Sequence, residues 1–276
     1  VSPSSYGKIQ YAAGGATSQR GASGKALPFG VFAGFELAPA WALEGGYRAY
    51  RREILAQLAT LPRRLRYRVI CGATGSAKSR LLQALALAGA QALDLEGLAS
   101  HRGSVLGNLP EQAQPAQKMF DSLVWNALRK FDPDQIVYVE AESKKIGQLQ
   151  VPDALLARMR ASPCVLMEAP LAERVAFLVR EYGHFLGDPQ DLKAKLDCLA
   201  GLHGKDTLAR WMSQVEQRQW DELVADLLAN HYDPAYHRAT LKNFEHLANA
   251  QVLRPAKLDA ASLAQMAAQL IAGTQT

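Results

Sequence analysis

The stretch Gly72-Ala73-Thr74-Gly75-Ser76-Ala77-Lys78-Ser79 decides the fold of this chain. It follows the apolar run 67–71 and precedes a helical pattern over 78–88, which is the strand–loop–helix context of a phosphate-binding P-loop. That pattern requires Gly, four residues, and then Gly-Lys-Ser or Gly-Lys-Thr, and Ala77 stands here in place of the second glycine. In this context we predict that backbone N–H groups of the loop surround a phosphate.

The loop residues have separate roles in this prediction. Lys78 reaches a terminal phosphate oxygen, and Ser79 is a candidate magnesium ligand. Ala77 costs little if its φ is negative, but its methyl group crowds a backbone that needs positive φ. The predicted phosphate-binding residues are Gly72, Gly75, Ser76, Lys78 and Ser79, together with Arg102 from a later segment.

Strand and helix patterns alternate on both sides of the loop. We predict strands over 67–71, 91–95, 136–139, 164–167 and 250–253, and helices over 47–61, 78–88, 116–130, 154–160, 171–182 and 261–271, with a helical block over 189–231. Pro62 is predicted to end the first helix. This alternation predicts an α/β fold, a P-loop NTPase-like parallel sheet with helices on both faces and a helical C-terminal half.

Acidic side chains follow the third predicted strand. Glu140 and Glu142 come directly after the β-branched run 136–139, at the carboxyl end of a strand, where open α/β sheets bind their ligands. A carboxylate at this position orients magnesium or a water molecule beside the phosphates. We therefore predict that Glu140 and Glu142 are catalytic and that Ser79 and Glu140 bind magnesium. The alternative is a solvated acidic loop.

A third polar segment, 93–104, follows the second predicted strand. Arg102 can bind a phosphate through two parallel hydrogen bonds, and His101 can donate to a phosphate or move a proton. Both are predicted to lie at the carboxyl edge of the sheet, Arg102 as a phosphate ligand and His101 as a catalytic residue. The alternative for each is again a solvated loop.

Composition limits the class of protein. With 49% hydrophobic and 21% charged residues, the 276-residue chain suits a globular protein with a sizeable core. Three widely spaced cysteines argue against a disulfide framework and structural zinc, and predict a reducing, cytoplasmic location. We see no apolar run long enough for a membrane span and no secretory signal pattern. The net charge of +5 permits a polyanionic partner without requiring one.

A basic cluster lies just before the loop. Between positions 48 and 68 one acid, Glu53, stands against seven arginines: Arg48, Arg51, Arg52, Arg63, Arg64, Arg66 and Arg68. Such a cluster can contact a nucleic-acid backbone. The alternative is a solvated helix face and linker.

Together these segments resemble the tRNA 2-selenouridine synthase family, from about residue 43 to the C-terminus. The matching text is the loop 72–79, Leu93-Asp-Leu-Glu-Gly-Leu-Ala-Ser-His-Arg-Gly-Ser104, Gln114-Pro-Ala-Gln-Lys-Met-Phe120, Val139-Glu-Ala-Glu-Ser-Lys-Lys-Ile-Gly147 and Tyr232-Asp-Pro-Ala-Tyr236. A P-loop alone is common, but the long segment that ends in His-Arg-Gly-Ser is specific.

The resemblance implies a transferase that replaces sulfur by selenium in the wobble 2-thiouridine of tRNA through an S-geranyl intermediate. It implies selenophosphate and geranyl diphosphate as co-substrates and tRNA as the partner, with candidate tRNA-binding residues Arg51, Arg52, Arg63 and Arg64. The family joins an N-terminal rhodanese domain to the P-loop domain. We expect residues 1–62 to be a rhodanese remnant with its exit helix, and residues 63–276 to be the P-loop domain.

The N-terminal region departs from the family pattern Cys-x-Arg-Gly-Gly-x-Arg-Ser. The best-spaced match is Ser18-Gln19-Arg20-Gly21-Ala22, and no cysteine precedes Cys71. A serine oxygen does not carry selenium as a thiolate does, so we expect the selenation step to be lost. Two alternative functions stay open, a small-molecule P-loop kinase and a catalytically inactive fragment that binds tRNA.

Overall fold

The computed structural model describes residues 40–104, 107, 113–183 and 187–273. Residue contacts divide the chain into two units, 1–57 and 58–276. The predicted rhodanese remnant lies mostly in residues 1–39 and, with Ser18, falls outside the described residues.

The first described helix, α1, spans Ala40–Arg64 and is interrupted at Gly46, whose φ is 68°. Pro62 lies inside this helix, so the prediction that Pro62 ends it is wrong. A proline in a last turn removes only its own N–H bond to the carbonyl four residues earlier. The two residues that follow it therefore still complete the turn.

Five parallel strands form the central sheet. They are β1 (Arg66–Gly72), β2 (Gln91–Leu93), β3 (Ile136–Glu140), β6 (Cys164–Met167) and β7 (Gln251–Leu253), in the spatial order β2-β3-β1-β6-β7. An antiparallel pair, β4 (Lys145–Ile146) and β5 (Leu149–Gln150), lies outside it. The predicted parallel sheet is confirmed, and the strand before the phosphate loop lies directly beside the strand that ends in Glu140.

The other helices whose bounds the structure describes follow in chain order. They are α2 (Lys78–Leu87), α3 (Leu95–Ala99), α4 (Gln117–Leu128), α5 (Asp153–Arg160), α6 (Leu171–Glu181), α7 (Pro189–Asp197), α8 (Lys205–Glu216), α9 (Trp220–Leu227), a π-helical turn (Leu228–Tyr232), α10 (Asp233–Asn243), a 3₁₀ turn (Leu247–Asn249) and α11 (Ala260–Ala272). Across the described ranges, none of the helices combines the length and the apolar character that a membrane span requires.

Helices cover the sheet on both faces. On one face, Leu81 of α2 and Leu270 of α11 pack in a core cluster with Ile70 and Tyr138. The Tyr138 hydroxyl donates to the carbonyl oxygen of Leu270 at 3.2 Å. Because side chains alternate along a strand, Val69 points to the opposite face, and α5 contacts β1.

A helical block follows the sheet core, as predicted for residues 189–231. Helices α7, α8 and α9 surround a second core cluster that contains the fully buried Trp211. Helix α9 also packs against α6. The block continues beyond the predicted end through α10.

Local hydrogen bonds explain two elements that the pattern did not predict. Strand β2 ends at Leu93 rather than at residue 95, because Asp94 Oδ1 accepts the N–H of Gly97 at 2.7 Å and begins α3. The β4–β5 hairpin is bound by Gln114, whose Nε2 donates to the Ile146 carbonyl oxygen at 3.0 Å. Its Oε1 accepts the Gln148 N–H at 2.9 Å. Both elements therefore depend on side-chain amides and carboxylates rather than on apolar periodicity.

Candidate phosphate-binding and active site

The loop backbone has the conformation that a phosphate cradle needs. Gly75 has φ +82°, and Ala77 is left-handed with φ 60° and ψ 31°. A Cβ at Gly72 would lie 2.5 Å from Ser76 Oγ and 2.8 Å from the Met167 carbonyl oxygen. Ala77 caps α2 without a side-chain hydrogen bond, so the first N–H groups of the helix can donate to an anion.

Two of the polar side chains of the loop, Lys78 and Ser76, differ in what they can contact. The Lys78 ammonium donates to the carbonyl oxygens of Gly72 at 2.8 Å and Ala73 at 3.4 Å, so it lies over the loop. Ser76 is 1% exposed, and its hydroxyl has no hydrogen-bond partner among the residues that the structure describes. Lys78 can therefore serve a phosphate with its charge, whereas the Ser76 N–H already donates to the Ala73 carbonyl oxygen at 3.2 Å.

Three carboxylates meet beside the loop. Glu96 of α3, Glu140 at the end of β3 and Glu142 two residues later each place an oxygen within 4.8 Å of the others. The Ser79 hydroxyl donates to Glu96 Oε2 at 3.3 Å. Within the described part of the chain, Oε1 of the buried Glu140 has no hydrogen-bond partner. Carboxylate and hydroxyl oxygens suit magnesium, so the residues fit the predicted ion.

The ionisation of these carboxylates is strongly perturbed. Burial, followed by repulsion from Glu142, raises the pKa of Glu96 to about 8, while Lys78 opposes the shift. Burial and repulsion from Glu140 likewise raise the pKa of Glu142 to about 8. The pKa of Glu140 rises well above its usual range, first because the residue is buried and second because the carboxylate of Glu96 repels its negative charge. Such groups can hold a proton near neutral pH, which general acid–base chemistry needs.

Sequence reasoning did not include Glu96 among the site residues. It treated the residue as part of a strand or its following loop, whereas the one-turn helix α3 turns Glu96 toward Glu140 and Glu142. The signal was present in Asp94-x-x-Gly97, because an aspartate followed by a backbone N–H three residues later can begin a helix.

His101 and Arg102 lie at the same edge with different contacts. His101 is 5% exposed, and its Nδ1 accepts the Gly103 N–H at 3.0 Å, so a neutral ring carries its proton on Nε2. Arg102 donates to the Glu181 carbonyl oxygen at 3.3 Å and stacks 4.8 Å from the Tyr182 ring. In this conformation Arg102 contacts α6 and the residue after it, and its role as a phosphate ligand remains a prediction.

Arg174 connects the loop to the helical block, a contact that the sequence did not indicate. Its Nε donates to the Thr74 carbonyl oxygen at 2.8 Å, and its two terminal nitrogens bind both carboxylate oxygens of Asp233 at 3.0 and 2.6 Å. Arg174 is 8% exposed. Asp233 belongs to the matching segment Tyr232-Asp-Pro-Ala-Tyr236, so the structure connects that segment to the phosphate loop.

An apolar pocket opens beside the loop. Its walls come from the phosphate loop, the segment at Ser104, α6 with the following Tyr182, and the helical block. The lining residues are Thr74, Ser104, Leu178, Val179, Tyr182, Leu192, Trp220, Leu223, Val224, Leu227, Leu228 and Tyr232. Leu223, Leu227 and Leu228 fall in the helical block predicted for residues 189–231, and their spacing gave no sign of a pocket. Their periodicity is the same whether they face a core or a pocket.

The predicted tRNA-binding arginines differ in exposure. Arg52 is exposed in α1, Arg51 is half-buried, and Arg63 and Arg64 are exposed in the last turn of the same helix. The exposed side chains can contact a phosphate backbone, and tRNA binding remains a prediction for all four.

The strand–loop–helix geometry, the basic loop residue and the acidic strand end define a P-loop domain. Residues 65–188 match the family model described as the tRNA 2-selenouridine synthase AAA domain. Relatives named tRNA 2-selenouridine synthase include proteins of Alcanivorax borkumensis and Shewanella loihica, each 32% identical over 222 residues. The chain belongs to the tRNA 2-selenouridine synthase family.

The matches do not span the relatives. They cover 70% of this chain but 59% of the Alcanivorax protein and 58% of the Shewanella protein. A relative from Hydrogenovibrio crunogenus is 37% identical over 147 residues, which are 51% of this chain and 39% of that protein. The chain therefore spans less than two thirds of the length of these curated relatives.

Proposed function

We propose that this chain provides the diphosphate-binding and prenyl-binding part of a transferase that modifies wobble 2-thiouridine in tRNA. In this proposal it binds geranyl diphosphate and transfers the geranyl group to the thiocarbonyl sulfur. A carbon–sulfur bond forms, the carbon–oxygen bond to diphosphate breaks, and inorganic pyrophosphate leaves. In the second step the selenium of selenophosphate forms a bond to the same ring carbon, the carbon–sulfur bond breaks and geranylthiol leaves. Water then cleaves the selenium–phosphorus bond and releases phosphate.

The observation that supports the proposal is the apolar pocket whose wall includes Thr74 of the phosphate loop. A ligand that joins a diphosphate to a hydrocarbon chain can bind the loop and the pocket together. Lys78 and the N-terminus of α2 would stabilise the negative charge that develops on the departing diphosphate.

The second step needs a different group. By the family resemblance a rhodanese cysteine carries the selenium, and the three cysteines of this chain suit that role poorly. Cys71 and Cys164 are buried in β1 and β6, and Cys198 is exposed on the helical block. A chalcogen-carrying thiolate has to be accessible, which excludes Cys71 and Cys164, and Cys198 lies in the helical block rather than in the rhodanese motif that the family resemblance implies. We therefore propose that these 276 residues perform geranylation and not selenation.

Binding measurements test the ligand. We expect Lys78→Ala to weaken both geranyl diphosphate and inorganic pyrophosphate about tenfold to a hundredfold, because a charge-assisted contact is worth about 1.5–3 kcal/mol. Lys205→Ala, which removes an exposed lysine at the start of α8, is the matched control. Calorimetric titration measures both ligands.

A second pair of variants separates the pocket from the loop. Val224→Phe fills the pocket and should weaken the binding of geranyl diphosphate at least about tenfold. This loss corresponds to less free energy than the burial of one leucine-sized side chain contributes. The binding of pyrophosphate should stay unchanged. Val252→Phe, on the exposed position of β7, is the control. Tight ATP binding with no response to Val224→Phe would instead support the kinase alternative.

Turnover tests the reaction. Nucleoside mass analysis of tRNA incubated with the chain, geranyl diphosphate and selenophosphate should show S-geranyl-2-thiouridine without 2-selenouridine. Strong 2-selenouridine formation would contradict the division of steps. Binding of tRNA with no product would support the inactive-fragment alternative.

A further inference from the structure

Arg174 contacts the phosphate loop and the helical block at the same time. Its Nε donates to the Thr74 carbonyl oxygen at 2.8 Å, and its two terminal nitrogens donate to the two carboxylate oxygens of Asp233 at 3.0 and 2.6 Å. Arg174 is 8% exposed. Two parallel hydrogen bonds to one carboxylate fix the plane of a guanidinium, so Asp233 determines the direction in which the Nε–H of Arg174 points.

This contact sets the orientation of the peptide group between Thr74 and Gly75. Among the described residues no peptide bond is cis, and in a trans peptide the carbonyl and the N–H point in opposite directions. Because the Thr74 carbonyl points toward Arg174 on α6, the Gly75 N–H points away from α6. In the described part of the chain this N–H has no hydrogen-bond partner, so it is available to an anion in the loop.

The loop backbone alone does not hold this orientation. Gly75 has φ +82°, and a glycine adopts positive and negative φ about equally readily. Across the described ranges, the Thr74 carbonyl oxygen has no donor other than Arg174. If this peptide group flipped, it would present its carbonyl oxygen to the anion in place of the N–H and would repel it.

We propose that Arg174 is a positioning residue for diphosphate binding. Held by Asp233, it keeps the Thr74–Gly75 peptide group in the orientation whose N–H donates to the anion. Arg174 acts through the loop backbone in this role and does not touch the diphosphate. The role rests on the proposed binding of diphosphate at the loop, and it adds α6 and the segment at Asp233 to the parts of the chain on which that binding depends.

Two variants separate this positioning from simple attraction by charge. Arg174→Lys keeps the positive charge but lacks the planar fork. It should weaken the binding of inorganic pyrophosphate about tenfold, because one hydrogen bond to a charged ligand is lost. Asp233→Asn removes a negative charge near the loop, so charge alone would strengthen the binding of pyrophosphate, whereas loss of the fork should weaken it. Calorimetric titration of the whole chain measures both.

The helical block offers a matched control pair. Arg210 Nε donates to Asp226 Oδ2 at 2.5 Å, and a terminal nitrogen of Arg210 donates to Asp226 Oδ1 at 3.1 Å. The pair therefore has two bonds between a guanidinium and a carboxylate, as Arg174 and Asp233 have, on α8 and α9. Arg210→Lys and Asp226→Asn should leave the binding of pyrophosphate unchanged. Urea unfolding shows whether each of the four variants is folded under the conditions of the titration.

A measurement on the wild type tests the same role if a variant does not fold. In the chain labelled with ¹⁵N-glycine, the amide proton signal of Gly75 should move downfield when pyrophosphate is added, because its N–H then donates to an anion. The signal of Gly89, whose N–H donates to the Ala86 carbonyl oxygen at 3.0 Å, should not move.

The possible failures can be told apart. The positioning role is overturned, and the proposed function stands, if the wild type binds pyrophosphate but Asp233→Asn binds it as tightly or more tightly. The same holds if Arg210→Lys weakens binding as much as Arg174→Lys does, or if the Gly75 signal does not move. If the wild type does not bind pyrophosphate, both the positioning role and the diphosphate-binding function are overturned.

Discussion

At the scale of single residues, Ala77 shows how the loop departs from its pattern without losing its shape. It stands where the P-loop has a second glycine, and its backbone is left-handed, with φ 60°. An alanine in this region costs about 1 kcal/mol. Its side chain is 4% exposed and packs in the core cluster with Leu81, which returns about 0.8 kcal/mol for a buried methyl group. The two effects nearly cancel, so alanine can replace glycine here.

The carboxylate cluster predicts how stability depends on pH. The pKa of Glu142 is about 8 in the folded chain, against an ordinary value of 4.5. Between these values the folded chain keeps a proton that the unfolded chain has released, so stability falls as the pH rises from about 4.5 to about 8. Urea unfolding in the presence of a chelator should show this fall, and Glu142→Gln should reduce its slope. A wild-type slope in the variant would contradict the assignment.

At the scale of elements, α6 supports the phosphate loop at two points. Arg174 donates from α6 to the Thr74 carbonyl oxygen, and Leu178 of the same helix packs against Gly75. A Cβ at Gly75 would lie 2.9 Å from Leu178 Cδ1 and 3.1 Å from the Arg174 carbonyl oxygen. Helix α6 also forms one wall of the apolar pocket, so the loop and the pocket share one support.

This support predicts a difference between two glycines. Gly75 and Gly89 have φ values of +82° and +87°, but a Cβ at Gly89 would meet no atom of the described ranges within 4 Å. Gly89→Ala should therefore cost only the backbone strain, about 1 kcal/mol. Gly75→Ala should cost at least about 1 kcal/mol more, because the added methyl group also overpacks the contact with α6. Equal urea midpoints for the two variants would mean that α6 can move away from the loop.

At the scale of the whole molecule, the unit 58–276 assembles one site from distant segments. The loop, α3, the end of β3, α6 and the helical block all contribute side chains to the phosphate site or to the pocket. The chain as a whole carries a net charge of +5. A tRNA substrate would have to present its wobble base at this site while its phosphates contact basic side chains elsewhere.

Salt dependence tests the tRNA contact. On a duplex, each phosphate contact contributes about 0.9 to the magnitude of the slope of the logarithm of the binding constant against the logarithm of the salt concentration. Loss of four arginines of the basic cluster should therefore flatten that slope. The variant replaces Arg51, Arg52, Arg63 and Arg64 by alanine. The control replaces four exposed basic residues elsewhere, Lys205, Arg218, Arg238 and Lys257. If both variants keep the wild-type slope, the arginine cluster is a solvated surface.

The sequence by itself determined the strand–loop–helix unit, most strand and helix positions and the family. These features depend on local information: the apolar run before Gly72, the glycines, Lys78 and Ser79, and the β-branched run 136–139. The predicted strands near 136, 164 and 250 are confirmed as β3, β6 and β7. Local geometry encodes such elements because the periods of helix and strand differ.

Only the tertiary structure decided the strand order, the meeting of Glu96 with Glu140 and Glu142, the Arg174–Asp233 bridge and the apolar pocket. Arg174 and Asp233 are 59 residues apart, and no local pattern records which distant partner a side chain will contact. The same apolar spacing on α9 serves a core or a pocket equally well, and only the position of α6 opposite it decides which. The phosphate loop could be predicted because it depends on local sequence. The rest of the site could not, because it depends on packing between distant segments.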